Sequence, residues 1–102
     1  MEKTTLYIGL NDKDTKRQEI STTEAYKVVQ NIILSVTSGC TIFEADGIYK
    51  HDNGSIVIEK SFKIELYEIV DSTVRTLIGL LKTALNQESV IMQRETVISE
   101  FI

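Results

Sequence analysis

The order of apolar-patterned segments constrains this chain more than any motif does. Six of them follow as strand, helix, strand, strand, helix, strand, and Asn53-Gly54 joins the two central strands. Asn-Gly is the dipeptide preferred by type I′ turns, so the central strands are expected to form a hairpin. Strand–helix–strand units cross over right-handed. Two such units interleaved about a hairpin predict an α+β plait: a four-stranded antiparallel sheet of order 4-1-3-2 with two helices on one face.

Local patterns support each element. Thr4 to Leu10 alternates, with Leu6, Ile8 and Leu10 on one side and Thr5, Tyr7 and Gly9 on the other, as in a half-buried strand. The polar stretch Asn11 to Glu19 reads as a solvated loop. Ser21 with Glu24 forms a capping box, and Ala25, Val28, Val29, Ile32, Ile33 and Val36 follow as one helical stripe. Ser38-Gly39 is expected to end that helix with a left-handed glycine. Asp71 or Ser72 caps a second stripe of Val74, Leu77, Ile78, Leu81, Ala84 and Leu85, in which Gly79 suggests a close helix contact. Asn86 stops the helix, and Glu88 to Val97 reads as the last strand.

A two-residue turn at Asn53-Gly54 fixes the hairpin register. It pairs Tyr49 with Ile58, Ala45 with Phe62, Phe43 with Ile64 and Thr41 with Leu66 on an apolar face. The opposite face then pairs Glu44 with Lys63, Ile48 with Glu59 and Ile42 with Glu65. The helices should meet Leu6, Ile8, Phe43, Phe62, Ile64 and Val90 or Met92. The uncovered face should carry Tyr7, Ile42, Ile48, Val57, Glu59, Lys63, Glu65 and Tyr67, with Phe101 and Ile102 in an apolar tail. Exposed apolar patches of this kind usually mark a partner.

At 102 residues the chain has room for one core, so residues 1–102 are expected to form one domain. The net charge of −4 opposes phosphate-backbone binding, which needs a basic face, so no nucleic-acid partner is expected. The longest apolar runs are far too short to span a membrane, and no signal peptide is evident. With its single cysteine, Cys40, the chain suits a reducing, cytoplasmic compartment.

The residue types that carry chemistry are sparse. Asp12 and Asp14 alternate in the polar loop, but the sixth and twelfth positions from Asp12 are Arg17 and Thr23, not the glycine and glutamate of a calcium loop. One histidine, His51, and one cysteine cannot assemble a soft-ligand metal site, so neither metal nor cofactor is expected. Cys40 reads as a small core residue. Glu59 and Glu65, grouped with Glu44 and Asp46, read as a salt-laced surface. No glycine-rich phosphate loop is present. An RNA-recognition sheet needs outward aromatics where this chain places Val57, Glu59, Ser61, Lys63 and Glu65.

The element order resembles the ferredoxin-like superfold over nearly the whole chain. Leu6-Tyr7-Ile8-Gly9, Gly39-Cys40-Thr41-Ile42, Ala45-Asp46-Gly47 and Asn86-Gln87-Glu88-Ser89-Val90 also resemble a family of short uncharacterised bacterial and phage-borne proteins. That resemblance brings no functional residues with it, because the family has no established activity. Fold and composition lead to one expectation, a non-enzymatic, homodimeric protein–protein interaction module, and the resemblance implies the phage or mobile-element accessory type that binds and inhibits a host factor. The alternative is an oligomeric regulator that binds a small anionic metabolite or nucleotide, with Lys13, Lys16 and Arg17 of the polar loop meeting the anion.

Overall fold

A computed structural model describes residues 1–102. The elements are β1 (Glu2–Gly9), α1 (Thr22–Val36), β2 (Thr41–Lys50), β3 (Ile56–Tyr67), α2 (Asp71–Ala84) and β4 (Ile91–Thr96). The sheet order is β2-β3-β1-β4, which is 4-1-3-2 read from the other edge, and every neighbouring pair is antiparallel. This is the ferredoxin-like βαββαβ plait.

The core explains why both helical stripes exist. Ala25, Val29 and Ile33 of α1 and Val74, Leu77 and Leu81 of α2 join Leu6, Ile8, Phe62, Ile64 and Leu66 of the central strands in one buried cluster. All these strand residues are even-numbered, so one side of β1 and β3 is consumed by the core and the odd-numbered side is left outside it. We call these the core side and the outer side. Ser21 caps α1 as its sequence predicts, its Oγ accepting from the Glu24 amide at 3.2 Å.

The hairpin register differs by one residue from the expected one. Ile42 pairs with Ile64, Glu44 with Phe62, Asp46 with Lys60 and Ile48 with Ile58. The cause is the turn. The Gly54 amide donates to the His51 carbonyl and the His51 amide to the Ser55 carbonyl, both at 2.9 Å, which leaves Asp52, Asn53 and Gly54 as a three-residue loop. Gly54 alone takes a positive φ, 88°, where a type I′ turn would require one at Asn53 as well. The Asn53 carboxamide is engaged instead by the Ser55 amide at 2.9 Å and the Ser55 hydroxyl at 2.7 Å.

Shifting by one residue exchanges the sides of β2. Phe43 lies on the outer side, with the Lys63 ammonium 5.6 Å from its ring centroid, not in the core. Ile42 and Ile48 lie on the core side rather than the outer one; Ile42 packs against the cluster, while Ile48 is 69% exposed. Glu44 and Asp46 likewise leave Glu59 and Glu65, and Asp46 pairs with Lys60 at 2.9 Å.

Smaller expectations are corrected too. Helix α1 ends at Thr37, whose amide and hydroxyl both donate to the Ile33 carbonyl, without a left-handed Gly39. Helix α2 has Val70 at its cap position and no capping side chain; Asp71 lies inside the first turn, where it pairs with Arg75 at 2.9 Å. A Cβ at Gly79 would meet nothing within 4 Å, so no close helix contact explains that glycine. Cys40 precedes the edge strand β2 and is exposed, not core. Strand β4 is shorter than the expected Glu88 to Val97.

Candidate functional site

A cleft of about 700 Å³ opens on the outer side of the sheet. Tyr7 and Gly9 of β1, Ala45, Gly47 and Tyr49 of β2, and Val57, Glu59 and Ser61 of β3 contribute to it. These are odd-numbered, so the alternation of the strands delivers them to the same side, while Ile8 and Asp46 join the lining from even-numbered positions. Ile91 of β4 closes one flank, and His51 stands edge-on to Tyr49, with ring centroids 5.6 Å apart.

The polar stretch after β1 forms a wall of the cleft and is braced, not a loose solvated loop. Asn11 bridges to Gln18, and the Asp12 amide donates to the Arg17 carbonyl at 2.7 Å. One Asp12 carboxylate oxygen accepts from the amides of Asp14 (2.8 Å) and Thr15 (3.1 Å). The other accepts from the side-chain amide of Asn86 at 2.9 Å, which also donates to Asp14. The Asn86 donor, with the Thr15 and Asp14 amides, holds the Asp12 carboxyl below its ordinary value. Gln87 adds a 2.7 Å bond from its side chain to the Asn11 carbonyl. Two non-glycine residues in this region hold a left-handed backbone, Lys16 at φ 62° and Asn86 at φ 47°. For lysine that conformation is uncommon and mildly strained, and such strain gathers at functional sites.

Glu59 is a carboxylate that β3 supplies to the cleft. One of its oxygens accepts from the Asn11 amide at 2.8 Å. Its carboxylate lies over Gly9, where an added Cβ would sit only 2.5 Å from the Glu59 Cδ. Gly9 is therefore the residue that lets an acid lie flat against the sheet. The sequence signal for this was present, a glycine ending an otherwise regular strand, but its partner was hidden by the distance along the chain. No three histidine, cysteine or acidic side chains converge as metal ligands.

The expected surface residues divide between two places. Tyr7, Val57 and Glu59 line the cleft. Glu65 and Lys63 stand further along the outer side in an ion-pair network: Lys3 approaches Glu65 at 2.8 Å and Glu95 at 3.7 Å, and Lys63 approaches Glu65 at 3.7 Å. The hydrogen bond from Lys3 lowers the Glu65 carboxyl, and the same contact raises Lys3. Tyr67 flanks Lys3 at the end of β3. Phe101 and Ile102 lie beyond β4, fully exposed. Of the three loop cations, Lys13 and Lys16 line the cleft, whereas Arg17 turns to Glu19 at 3.3 Å. Sequence reasoning missed Gly9, Ser61, Tyr49 and Gln87 as neighbours of one cleft, because they come from three strands and the turn after α2.

A family profile matches residues 3–101. The chain belongs to the family described as Protein of unknown function (DUF3574). Sequence comparison with curated proteins returns no match. Solved structures are similar to this DUF3574 chain in fold. A phage SAM lyase in complex with S-methyl-5'-thioadenosine superposes with a TM-score of 0.66 at 21% identity, over 92% of this chain and 79% of the lyase. CutA1 from Oryza sativa gives 0.57 at 18% identity, over 97% and 84% of the two chains. The periplasmic divalent cation tolerance protein CutA from Archaeoglobus fulgidus gives 0.58 at 11%, over 97% and 87%.

These likenesses correct the expectation that a plait so poor in histidine and cysteine is not an enzyme. The same plait in the phage protein is a lyase. Nor does the plait fix a compartment, since one relative in fold is described as periplasmic. No helix of the DUF3574 chain is long and apolar enough to cross a membrane.

Proposed function

We propose that this protein binds a sulfur-substituted adenosine in the cleft beside Glu59 and cleaves its sulfonium form, S-adenosylmethionine. The observation that carries the reading is the cleft itself. It has the volume of a small-molecule site, two tyrosines for a purine to pack against, and one acid fixed by a backbone amide over a glycine. The phage lyase holding S-methyl-5'-thioadenosine supplies a ligand class for a fold of this kind.

The chemistry asks little of histidine or cysteine. The bond from the sulfonium sulfur to the aminobutyrate chain breaks, and its electron pair stays on sulfur, which leaves as the neutral thioether. The four-carbon fragment makes up the lost bond by closing on its own carboxylate, whose oxygen supplies the electron pair of the new C–O bond, so no proton need be removed. Glu59 faces the cationic centre before that charge is lost. The test is incubation of the purified protein with S-adenosylmethionine, followed by chromatography for S-methyl-5'-thioadenosine. Accumulation above a no-enzyme control supports the reading. No product, together with no thermal shift by either nucleoside, refutes it.

The proposal includes self-association. The hairpin projects Ile48, Ile56 and Ile58 on the core side with exposures of 69%, 68% and 65%, beyond the helical cover. Apolar groups grouped this way favour a protein contact, and a second copy is the occupant proposed. Light scattering after size exclusion tests it, with Ile58→Lys expected to shift the protein toward monomer.

A further inference from the structure

The cleft holds charges of both signs that form no ion pair within the protein. Lys3, Lys27, Lys60, Lys63, Arg75 and Arg94 each form an ion pair. Lys13 and Lys16, which line the cleft, form none. Glu59 has no cation either; its bond is to the Asn11 amide. The other acids of the cleft are differently placed. Asp12 already accepts three hydrogen bonds, from Asn86, Asp14 and Thr15, and lies near Lys13; Asp46 pairs with Lys60; and Glu88, like Lys13 and Lys16, is exposed, but on the turn before β4.

The backbone that carries the two exposed lysines is also held in place. The Lys16 amide donates to the Asp12 carbonyl at 2.9 Å, and the Lys13 amide to the Asn86 carbonyl at 3.0 Å. With its left-handed backbone, Lys16 is fixed by the turn that Asp12 organises. A loop built only to be soluble would not need to be tied to the far end of α2 by Asn86 and Gln87.

A ligand with one sign of charge would satisfy one of these groups and strand the other. A nucleotide polyphosphate would meet the lysines and be opposed by Glu59. A simple cation would do the reverse. Setting a like charge beside one of these groups, or covering it with no partner, costs affinity, so the cleft favours a ligand that carries both signs. We infer that Lys13 and Lys16 bind the carboxylate of an amino-acid tail while Glu59 faces the cationic centre, so that the cleft selects a sulfonium amino-acid nucleoside over a nucleotide polyphosphate. This rests on the adenosine reading above and adds to it the charge pattern of the ligand and the residues that read it.

The experiment measures dissociation constants by calorimetry for S-adenosylmethionine, S-methyl-5'-thioadenosine and ATP. The proteins are the natural chain, Lys13→Ala/Lys16→Ala and Glu59→Gln. S-methyl-5'-thioadenosine has neither the amino-acid tail nor the sulfonium charge, so it is the internal reference. The preference for S-adenosylmethionine over that reference is expected to fall about tenfold in the double lysine variant, the factor that about 1.4 kcal/mol represents. It should fall in Glu59→Gln as well, and Lys13→Arg/Lys16→Arg should restore most of the preference. ATP is expected to bind the natural chain more weakly than S-adenosylmethionine. If both nucleosides bind and the preference is unchanged in the lysine and Glu59 variants, or if ATP binds most tightly, the charge assignment falls while the adenosine reading stands. If neither nucleoside binds the natural chain, both fall.

Discussion

Replacing Gly9 by alanine tests whether Glu59 is placed by its glycine. Gly9 has no positive φ, so alanine is conformationally allowed there. In a strand, alanine should stabilise by about 0.5–1 kcal/mol over glycine. Against that gain stands the Cβ, which would come within 2.5 Å of the Glu59 Cδ and 2.6 Å of Oε1. The carboxylate is the end of a flexible side chain and can swing aside, but only by giving up the 2.8 Å bond from the Asn11 amide. Hydrogen bonds to charged groups contribute about 1.5–3 kcal/mol, and a half-exposed one belongs at the low end, about 1.5. Gly9→Ala should therefore destabilise the natural chain by about 0.5–1 kcal/mol, a fall in Tm of about 2–8 °C for a domain of this size. In a Glu59→Ala background the clash has no partner, and the same substitution should raise Tm instead. Denaturant melts of the four proteins of this cycle measure the coupling directly. A coupling near zero, with alanine equally good or equally bad in both backgrounds, would refute the placement of Glu59.

Other outcomes follow from the same contacts. Gly79→Ala, an exposed helix-interior site with open space around it, should stabilise by about 0.5–1 kcal/mol, read as a higher denaturant midpoint. Phe62→Ala removes a fully buried ring that meets Tyr26 edge-on at 6.2 Å and should cost about 3–5 kcal/mol, seen as a large loss of midpoint. The Asp12 carboxyl is lowered from its ordinary 3.8 chiefly by Asn86, so its contribution is complete above 3.8 and lost as pH falls through the lower folded value. Stability measured against pH should therefore show a shallower acid decline in Asn86→Ala than in the natural chain. Lys3 is raised from 10.5 chiefly by its bond from the ammonium to Glu65, so that contribution is complete below 10.5 and lost as pH rises through the higher folded value. Glu65→Gln should flatten this alkaline decline.

Periodicity made the element order, both helical stripes and the sheet order legible, because each depends on which residues must be buried. Leu6, Phe62, Ile64, Val29 and Leu77 could be assigned to the core without any knowledge of the turn. The sides of β2 could not, because they depend on whether the hairpin loop counts two residues or three. Asn53-Gly54 suits the shorter loop, but here only Gly54 takes a positive φ and the Asn53 side chain accepts from Ser55 in a three-residue loop. That one extra residue has a functional consequence. With the two-residue turn, Glu44, Asp46 and Ile48 would have faced outward, laying an isoleucine and two carboxylates over the ground beside Glu59. With the three-residue loop, Ala45, Gly47 and Tyr49 face it instead: two small residues that leave a cavity, and one aromatic wall. The cleft exists because Gly54 accepts φ 88° and moves β2 by one position, so shortening the loop by a residue should close the site while the core, built mainly on β1, β3 and the helices, survives.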